Sequence, residues 1–372
     1  MAQTGMEAAG SVGPALLSQV PAGRVDEQLV QLTDRPGSGL VLTGDAALEK
    51  ARALLDAGYT QPLLVDRERY SGTKRRVSAS TAFDQRWIGE QRRLGLWRVL
   101  PDAGYVAAGD RGGLLGVLRR TAELGDAVAV LALHLSWLHA NKNLPILLDA
   151  ISSAAVPVAL VLEYGDDPLG VAYAHSGLLR LLRLPVPVML LRCDVSAVGA
   201  LCFGAVAAAV GVHSSLRHLY PAGGGGGSGP REQSVLFRPC LSYKRLSTLQ
   251  SAVQEDPDGQ WWNCPCEVCA DNPITVLAER PDAEVAAACS RHSMDLLLRL
   301  RDHVLGDGPA SERAQLSWIA QCKHAQAVGA QLAEEQGEAL WKAPNAVQHW
   351  QQASTFQPPS GPSSTSSTSN RR

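Results

Sequence analysis

The sequence predicts an α/β protein: a (β/α)8 barrel with a C-terminal zinc-binding helical subdomain. Two patterns point to it. Short apolar runs alternate with longer amphipathic ones between residues 39 and 237, and a tight group of cysteines follows them. Strands that are apolar on both faces, each followed by a helix, build parallel sheets covered by helices. About eight such units in roughly 200 residues is the count of a closed barrel. An open doubly wound sheet is the competing architecture, and it places a glycine-rich phosphate loop between its first strand and helix. The glycine-rich run here, Gly223–Gly229, has no strand–turn–helix setting and reads as a flexible surface loop.

Residues 1–35 read as a mixed, open extension with a small helix over Asp26–Leu32. Gly39–Leu42 is the first strand, ended by Thr43-Gly44, and Ala46–Ala57 has helical periodicity. Gln61–Val65 is the second strand, closed by Asp66, and Arg75–Leu96 is polar and partly helical. Trp97–Leu100 or Tyr105–Ala107 supplies the third, before a Leu114–Leu124 helix. Ala127–Leu133, Val156–Leu162 and Val186–Leu191 continue the series, followed by helices through Ile151, over Ser176–Leu184 and over Ser196–Ala209. Val210–His213 and Ser234–Phe237 complete the count. Helices are expected over Asp282–Val304, Pro309–Gln336 and Glu338–Gln352. The chain therefore divides into an extension (1–35), a barrel (36–250), a zinc knuckle with C-terminal helices (251–352) and a Ser/Thr/Pro-rich tail (353–372) expected to be disordered.

Composition limits the partners. The chain has 372 residues, 45% of them hydrophobic and 19% charged, enough apolar material for a sizeable core. A net charge of −2 gives no global basic field, so a nucleic-acid partner needs a local patch. Arg67, Arg69, Lys74, Arg75 and Arg76 form one after the second strand, read equally well as a solvated loop. Met1–Gly13 lacks the basic and apolar regions of a secretory signal, and the cysteines read as reduced, so a cytoplasmic protein is expected.

Three of the eight cysteines fall within Cys264-Pro-Cys266-Glu-Val-Cys269, right after Trp261-Trp262. Neighbours this close make poor disulfide partners. Thiolates prefer a soft metal, and four N/S donors suit tetrahedral Zn2+. His292, 23 residues beyond Cys269 in a helical run, is the fourth ligand; Cys289, one turn earlier, competes with it.

A barrel places its chemistry at the C-terminal ends of its strands. Asp66 and Asp194 close two strands there and are the candidate catalytic acids, although either can instead cap the helix that follows. Glu163, Asp166 and Asp167 follow another strand and read rather as a solvated turn. His213, Ser214, Ser215, Arg217 and His218 cluster at a strand exit without a third group that would define a nucleophilic triad.

In length, expected barrel and late Cys-x-Cys-x-x-Cys plus His, the chain resembles the tRNA-guanine transglycosylase superfamily, including relatives that insert 7-deazaguanines into DNA. The resemblance is specific at Cys264, Cys266, Cys269 and His292, looser over residues 39–305, and extends to Leu63–Asp66 and Phe237–Lys244. It implies a structural zinc that braces a subdomain against the barrel, a catalytic role for Asp66, a tRNA or DNA substrate and a homodimer. The chain departs from the family at Arg67–Tyr70, where Ser-Gly-Gly-Phe is usual, and it lacks the loop that grips the base. Leu216 stands where the nucleophilic Asp is expected, with no acid between Gly211 and Arg231. Three readings follow: a divergent base-exchange enzyme using Asp66 or Asp194, a zinc-braced nucleic-acid-binding or scaffold barrel without chemistry, and an unrelated zinc-binding barrel.

Overall fold

Ala15–Pro21 (β1), inside the stretch expected to be open, is an interior strand of the sheet. Its neighbours are Ser38–Thr43 (β2) on one side and Ala207–Gly211 (β8) on the other, both parallel. The run escapes sequence reading because Ser18 and Gln19 interrupt its apolar pattern, yet both are fully buried. The computed structural model describes residues 14–78, 82–223, 232–337 and 339–356.

Between β1 and β8 the chain alternates strand and helix. Glu27–Thr33 (α1) follows β1, Ala47–Asp56 (α2) follows β2, and Leu63–Asp66 (β3) leads to Gln85–Leu94 (α3). Tyr105–Val106 (β4) precedes Arg111–Leu124 (α4), Ala129–His134 (β5) precedes Leu144–Ala154 (α5), and Val158–Glu163 (β6) precedes Ala172–Leu181 (α6). Val188–Cys193 (β7) then leads through Ser196–Cys202 (α7) to β8. Aspartates start three of these helices by accepting backbone N–H groups: Asp26 from Leu29 at 2.7 Å, Asp84 from Arg86 at 2.9 Å and Asp110 from Gly113 at 2.8 Å.

The strands form one parallel half-barrel in the order β3-β2-β1-β8-β7-β6-β5-β4. Each strand adjoins its successor except β3 and β4, which form the two edges, and the eighth returns to the first, whereas a doubly wound sheet reverses at a switch point. Residues 97–99 lie in the interval between β3 and β5. The Trp97 N–H bonds the Leu63 carbonyl at 3.3 Å, and the Val128 N–H bonds the Val99 carbonyl at 2.9 Å.

Two further assignments made from the sequence are corrected. Ser234–Phe237 (β9) is a strand, but it pairs antiparallel with Ser242–Arg245 (β10) in a separate hairpin. A short apolar run reads the same in either setting. The helix expected to reach Ala209 stops at Cys202, because Gly204 takes a positive φ of 112° and Ala207–Gly211 continues as strand. Of the glycine-rich run only Gly223 is described; 224–231 lie outside the described residues.

Beyond the hairpin come Leu246–Glu255 (α8), the cysteine knuckle, Asp282–Leu305 (α9), Glu312–Glu335 (α10) and Asn345–Gln351 (α11). Helix α9 packs against both α7, which precedes β8, and α1, which follows β1, and so covers the place of an eighth helix between β8 and β1. The hairpin, α8 and the knuckle are thus inserted between β8 and its covering helix. Helices α10 and α11 close over α7, where Trp318, Trp350 and Phe203 are buried together and the Trp350 indole N–H donates to Ser196 Oγ at 3.2 Å. Residues 353–356, expected to begin a disordered tail, are fixed here: Phe356 exchanges backbone bonds of 2.7 and 2.8 Å with the Gln315 side chain. The rest of the tail, 357–372, lies outside the described residues. No helix among the described residues is long and apolar enough to cross a membrane.

Candidate metal centre and strand-end polar cluster

The knuckle folds as the cysteine spacing demands. The Ala270 N–H bonds the Cys266 carbonyl at 2.8 Å and the Asp271 N–H bonds the Cys264 carbonyl at 3.0 Å, with Ala270 and Asp271 at φ of 51° and 63°. These turns bring three thiols to one point, and α9 presents His292 to it. His292 Nδ1 lies 3.7, 3.3 and 3.3 Å from the sulfurs of Cys264, Cys266 and Cys269. All four donor atoms lie within 4.8 Å of one another, and all four residues are buried. Cys289 is buried outside this group, so the residues that could hold a metal ion together are Cys264, Cys266, Cys269 and His292.

The donor set fits a metal ion. Four S/N donors at this separation surround a centre of tetrahedral size, and no open position is left for a substrate. Outer contacts fix the ligands: the other ring nitrogen of His292 lies 3.0 Å from the Leu236 carbonyl, and the Cys269 N–H reaches Cys266 Sγ at 3.3 Å. Hydrogen bonds from Cys264 and Cys269 pull the Cys266 thiol far down, while Cys264 and Cys266 push Cys269 far up. Burial disfavours charge on His292, but the Cys264 and Cys266 sulfurs outweigh it and hold its proton up to about 10. Negative charge gathered this tightly is what a cation relieves.

A second polar assembly lies at the C-terminal ends of the strands. Asp66 ends β3 and is buried. It accepts from the Tyr70 hydroxyl at 2.5 Å, the Glu68 N–H at 2.9 Å and the Gln19 amide of β1 at 3.4 Å. The Oε1 of Gln19 accepts the Arg192 N–H at 2.7 Å, so Gln19 ties β1 to both β3 and β7. A register shift between Leu190 and Cys193 and a positive φ of 55° at Arg192 turn this residue inward, where its guanidinium pairs with Glu68. Burial, reinforced by Glu68, pushes Asp66 up to about 6, against the lowering effect of the Tyr70 bond.

Glu163, at the end of β6, is the hub of a neighbouring pair. Arg75 and the Tyr105 hydroxyl both donate to it, and the Arg75 guanidinium lies 3.6 Å from the centre of the Tyr105 ring. Glu163 is therefore a buried rim acid rather than part of a solvated turn.

Asp194 belongs to a different cluster. Its Oδ1 accepts the Ser196 N–H at 3.0 Å at the start of α7, although Val195 and not Asp194 occupies the N-cap position. Burial pushes its carboxyl up, and burial together with Asp194 pushes Asp167 well up. Asp66 and Asp194 thus share one rim but not one site.

The basic segment is mostly matched by acids of the chain. Arg67 pairs with Asp45 and Asp84 at 3.0 and 2.6 Å, Arg69 with Asp45 at 2.9 Å, Arg75 with Glu163 and Arg76 with Asp102 at 3.8 Å. Lys74 is exposed. Gln19, Arg192 and Tyr105 are site residues that the sequence did not single out. The polar pair in an apolar run at Ser18-Gln19 was the one signal available for the first. Compared with known proteins, the chain matches no family model and no curated sequence.

Proposed function

We propose that this chain is a divergent relative of the tRNA-guanine transglycosylases, a zinc-braced (β/α)8 barrel closed through residues 97–99 that acts on a purine-type base of tRNA or DNA. The observation that carries the reading is Asp66: a buried carboxyl held near pH 6 at a strand end, within a polar network joining β1, β3 and β7. Buried titratable groups gathered at strand ends are costly to stability and mark functional sites. The Cys3His group supports it from the other side, because a closed thiolate-rich tetrahedral set selects Zn2+ as a structural ion. The inserted knuckle, braced on the helix that covers β8, fits such a role.

In this reading the Asp66 carboxylate attacks the anomeric carbon, the glycosidic bond breaks and guanine leaves. The incoming base then displaces the carboxylate, so the polynucleotide stays attached throughout. Arg192, paired with Glu68, keeps a cation beside the reacting carboxylate. The test is incorporation of labelled guanine into tRNA and into DNA by wild type, Asp66→Asn and Asp194→Asn. Incorporation by wild type and Asp194→Asn, reduced at least about 100-fold in Asp66→Asn, is expected. No incorporation by wild type overturns the exchange reading.

One observation favours the second reading, a scaffold barrel that binds nucleic acid without chemistry. The rim is filled by complete pairs, Arg192 with Glu68 and Arg75 with Glu163, and the sequence carries no acid between Gly211 and Arg231. Retarded migration of tRNA or DNA with wild type, in the absence of label exchange, would select it.

A further inference from the structure

Away from the strand ends, a cleft of about 520 Å3 opens between the β9–β10 hairpin, the knuckle residues 260–265, α9 and α10. That size suits a small molecule. Its apolar wall includes Phe237, Trp261, Trp262, Ile274 and Leu296. The ring centres of Phe237 and Trp262 lie 5.8 Å apart, and those of Trp261 and His324 6.1 Å apart, giving aromatic surface on two sides.

The polar groups of the cleft are unbalanced in charge. No aspartate or glutamate lines it, whereas Arg238, His303 and His324 do. The Arg238 side chain has no hydrogen-bond or ion-pair partner among the described residues, in contrast to the paired arginines of the strand-end rim. The Trp261 indole nitrogen is buried and makes no hydrogen bond there either. A buried N–H without an acceptor is costly. A half-buried guanidinium without a carboxylate is a ready partner for a planar anion.

We propose that this cleft binds a small planar aromatic anion. Its ring lies on the tryptophan wall, and its carboxylate or equivalent group pairs with Arg238. The site is independent of the base-exchange reading, since it uses none of the strand-end residues. Because Cys264, Pro265 and His292 form part of its lining, a bound ligand rests directly against the metal knuckle.

Calorimetric titration of the full chain with 2-naphthoate and with its neutral counterpart 2-naphthalenemethanol tests the site. Wild type is expected to bind the acid at least about 10-fold more tightly, the scale of one charge-assisted bond. Arg238→Gln should bring the acid down to the level of the alcohol, and Trp261→Leu should weaken both. Metal content and circular dichroism check that each variant is folded; if Arg238→Gln fails that check, Arg238→Met is titrated in its place. No binding of naphthoate to wild type, equal affinity for the two compounds, or undiminished discrimination in the folded Arg238 variant overturns the proposal.

Discussion

The Nε2 nitrogen of His292 lies 3.0 Å from the carbonyl oxygen of Leu236, joining the covering helix of β8 to the inserted hairpin. The same ring turns its Nδ1 to the three thiols, so one side chain links hairpin, helix and knuckle. Beside it, Ser293 Oγ accepts the Leu236 N–H at 3.0 Å and donates to the Cys289 carbonyl at 2.8 Å. Both backbone groups of Leu236 are thereby bonded to α9.

Metal removal should loosen this whole insertion. Structural Zn2+ contributes folding free energy on the order of 10 kcal/mol in small zinc domains. Cys266→Ser should therefore lose bound metal and unfold at a lower temperature, and Cys289→Ser should keep one ion per chain. Elemental analysis with a thermal scan checks both. One equivalent of metal in purified Cys266→Ser would refute the ligand set.

Asp66 should make stability fall as pH rises. Its folded pKa of about 6 lies above the ordinary 3.8, so the folded state holds this proton more firmly than the unfolded chain does. That contribution is complete below about pH 3.8 and disappears as pH passes about 6, a change on the order of 3 kcal/mol. Asp66→Asn should lack it and gain relative to wild type between pH 4 and pH 7 by roughly that amount. Urea unfolding at several pH values measures the difference; parallel curves for the two proteins would contradict it.

The Glu163 hub should respond unequally to its partners. Removing Arg75 leaves a buried carboxylate without its cation, which costs about 3 kcal/mol. Glu163→Gln keeps an acceptor for Tyr105 and removes the charge, so it should cost less than Arg75→Ala. Denaturant midpoints of the two variants settle the order.

Gly199 should not tolerate a methyl group. A Cβ there would lie 2.5 Å from Trp318 Nε1 and 2.7 Å from Trp350 Cε2, both in rigid buried rings. Gly199→Ala should destabilise by about 1–3 kcal/mol through overpacking, despite alanine's better helix propensity. Thermal unfolding would show it, and an unchanged or raised midpoint would mean that α10 and α11 do not rest on α7 as described.

What the sequence made legible was local. The long C-terminal helices announced themselves by periodicity, and α9 and α10 begin and end within a few residues of their expected limits. The Cys3His group was readable because three ligands share one turn and the fourth lies on a recognisable helix. Contacts between distant segments were not readable. Gln19 matters because it meets Asp66 and Arg192, and Arg192 because a strand irregularity turns it toward Glu68. Nothing in a linear pattern reports such encounters. The hairpin strand β9 was misplaced for the same reason: a run of four residues, three of them apolar, does not declare its partner.

The interior position of β1 sets an order of events during synthesis. One edge can pair with β2 almost at once, since Leu16 and Ser38 are near neighbours in sequence. The other edge waits for β8, whose Ala207 pairs with Ala15. At ribosomal speeds of about 5–20 residues per second, a gap of roughly 190 residues lasts some 10–40 seconds. Throughout that interval the strand that later anchors Asp66 through Gln19 presents bare backbone amides and carbonyls, the kind of edge on which chains aggregate. Yield from the ribosome should therefore depend on how fast residues 22–206 are made and on which chaperones meet them, more than on the stability of the finished sheet.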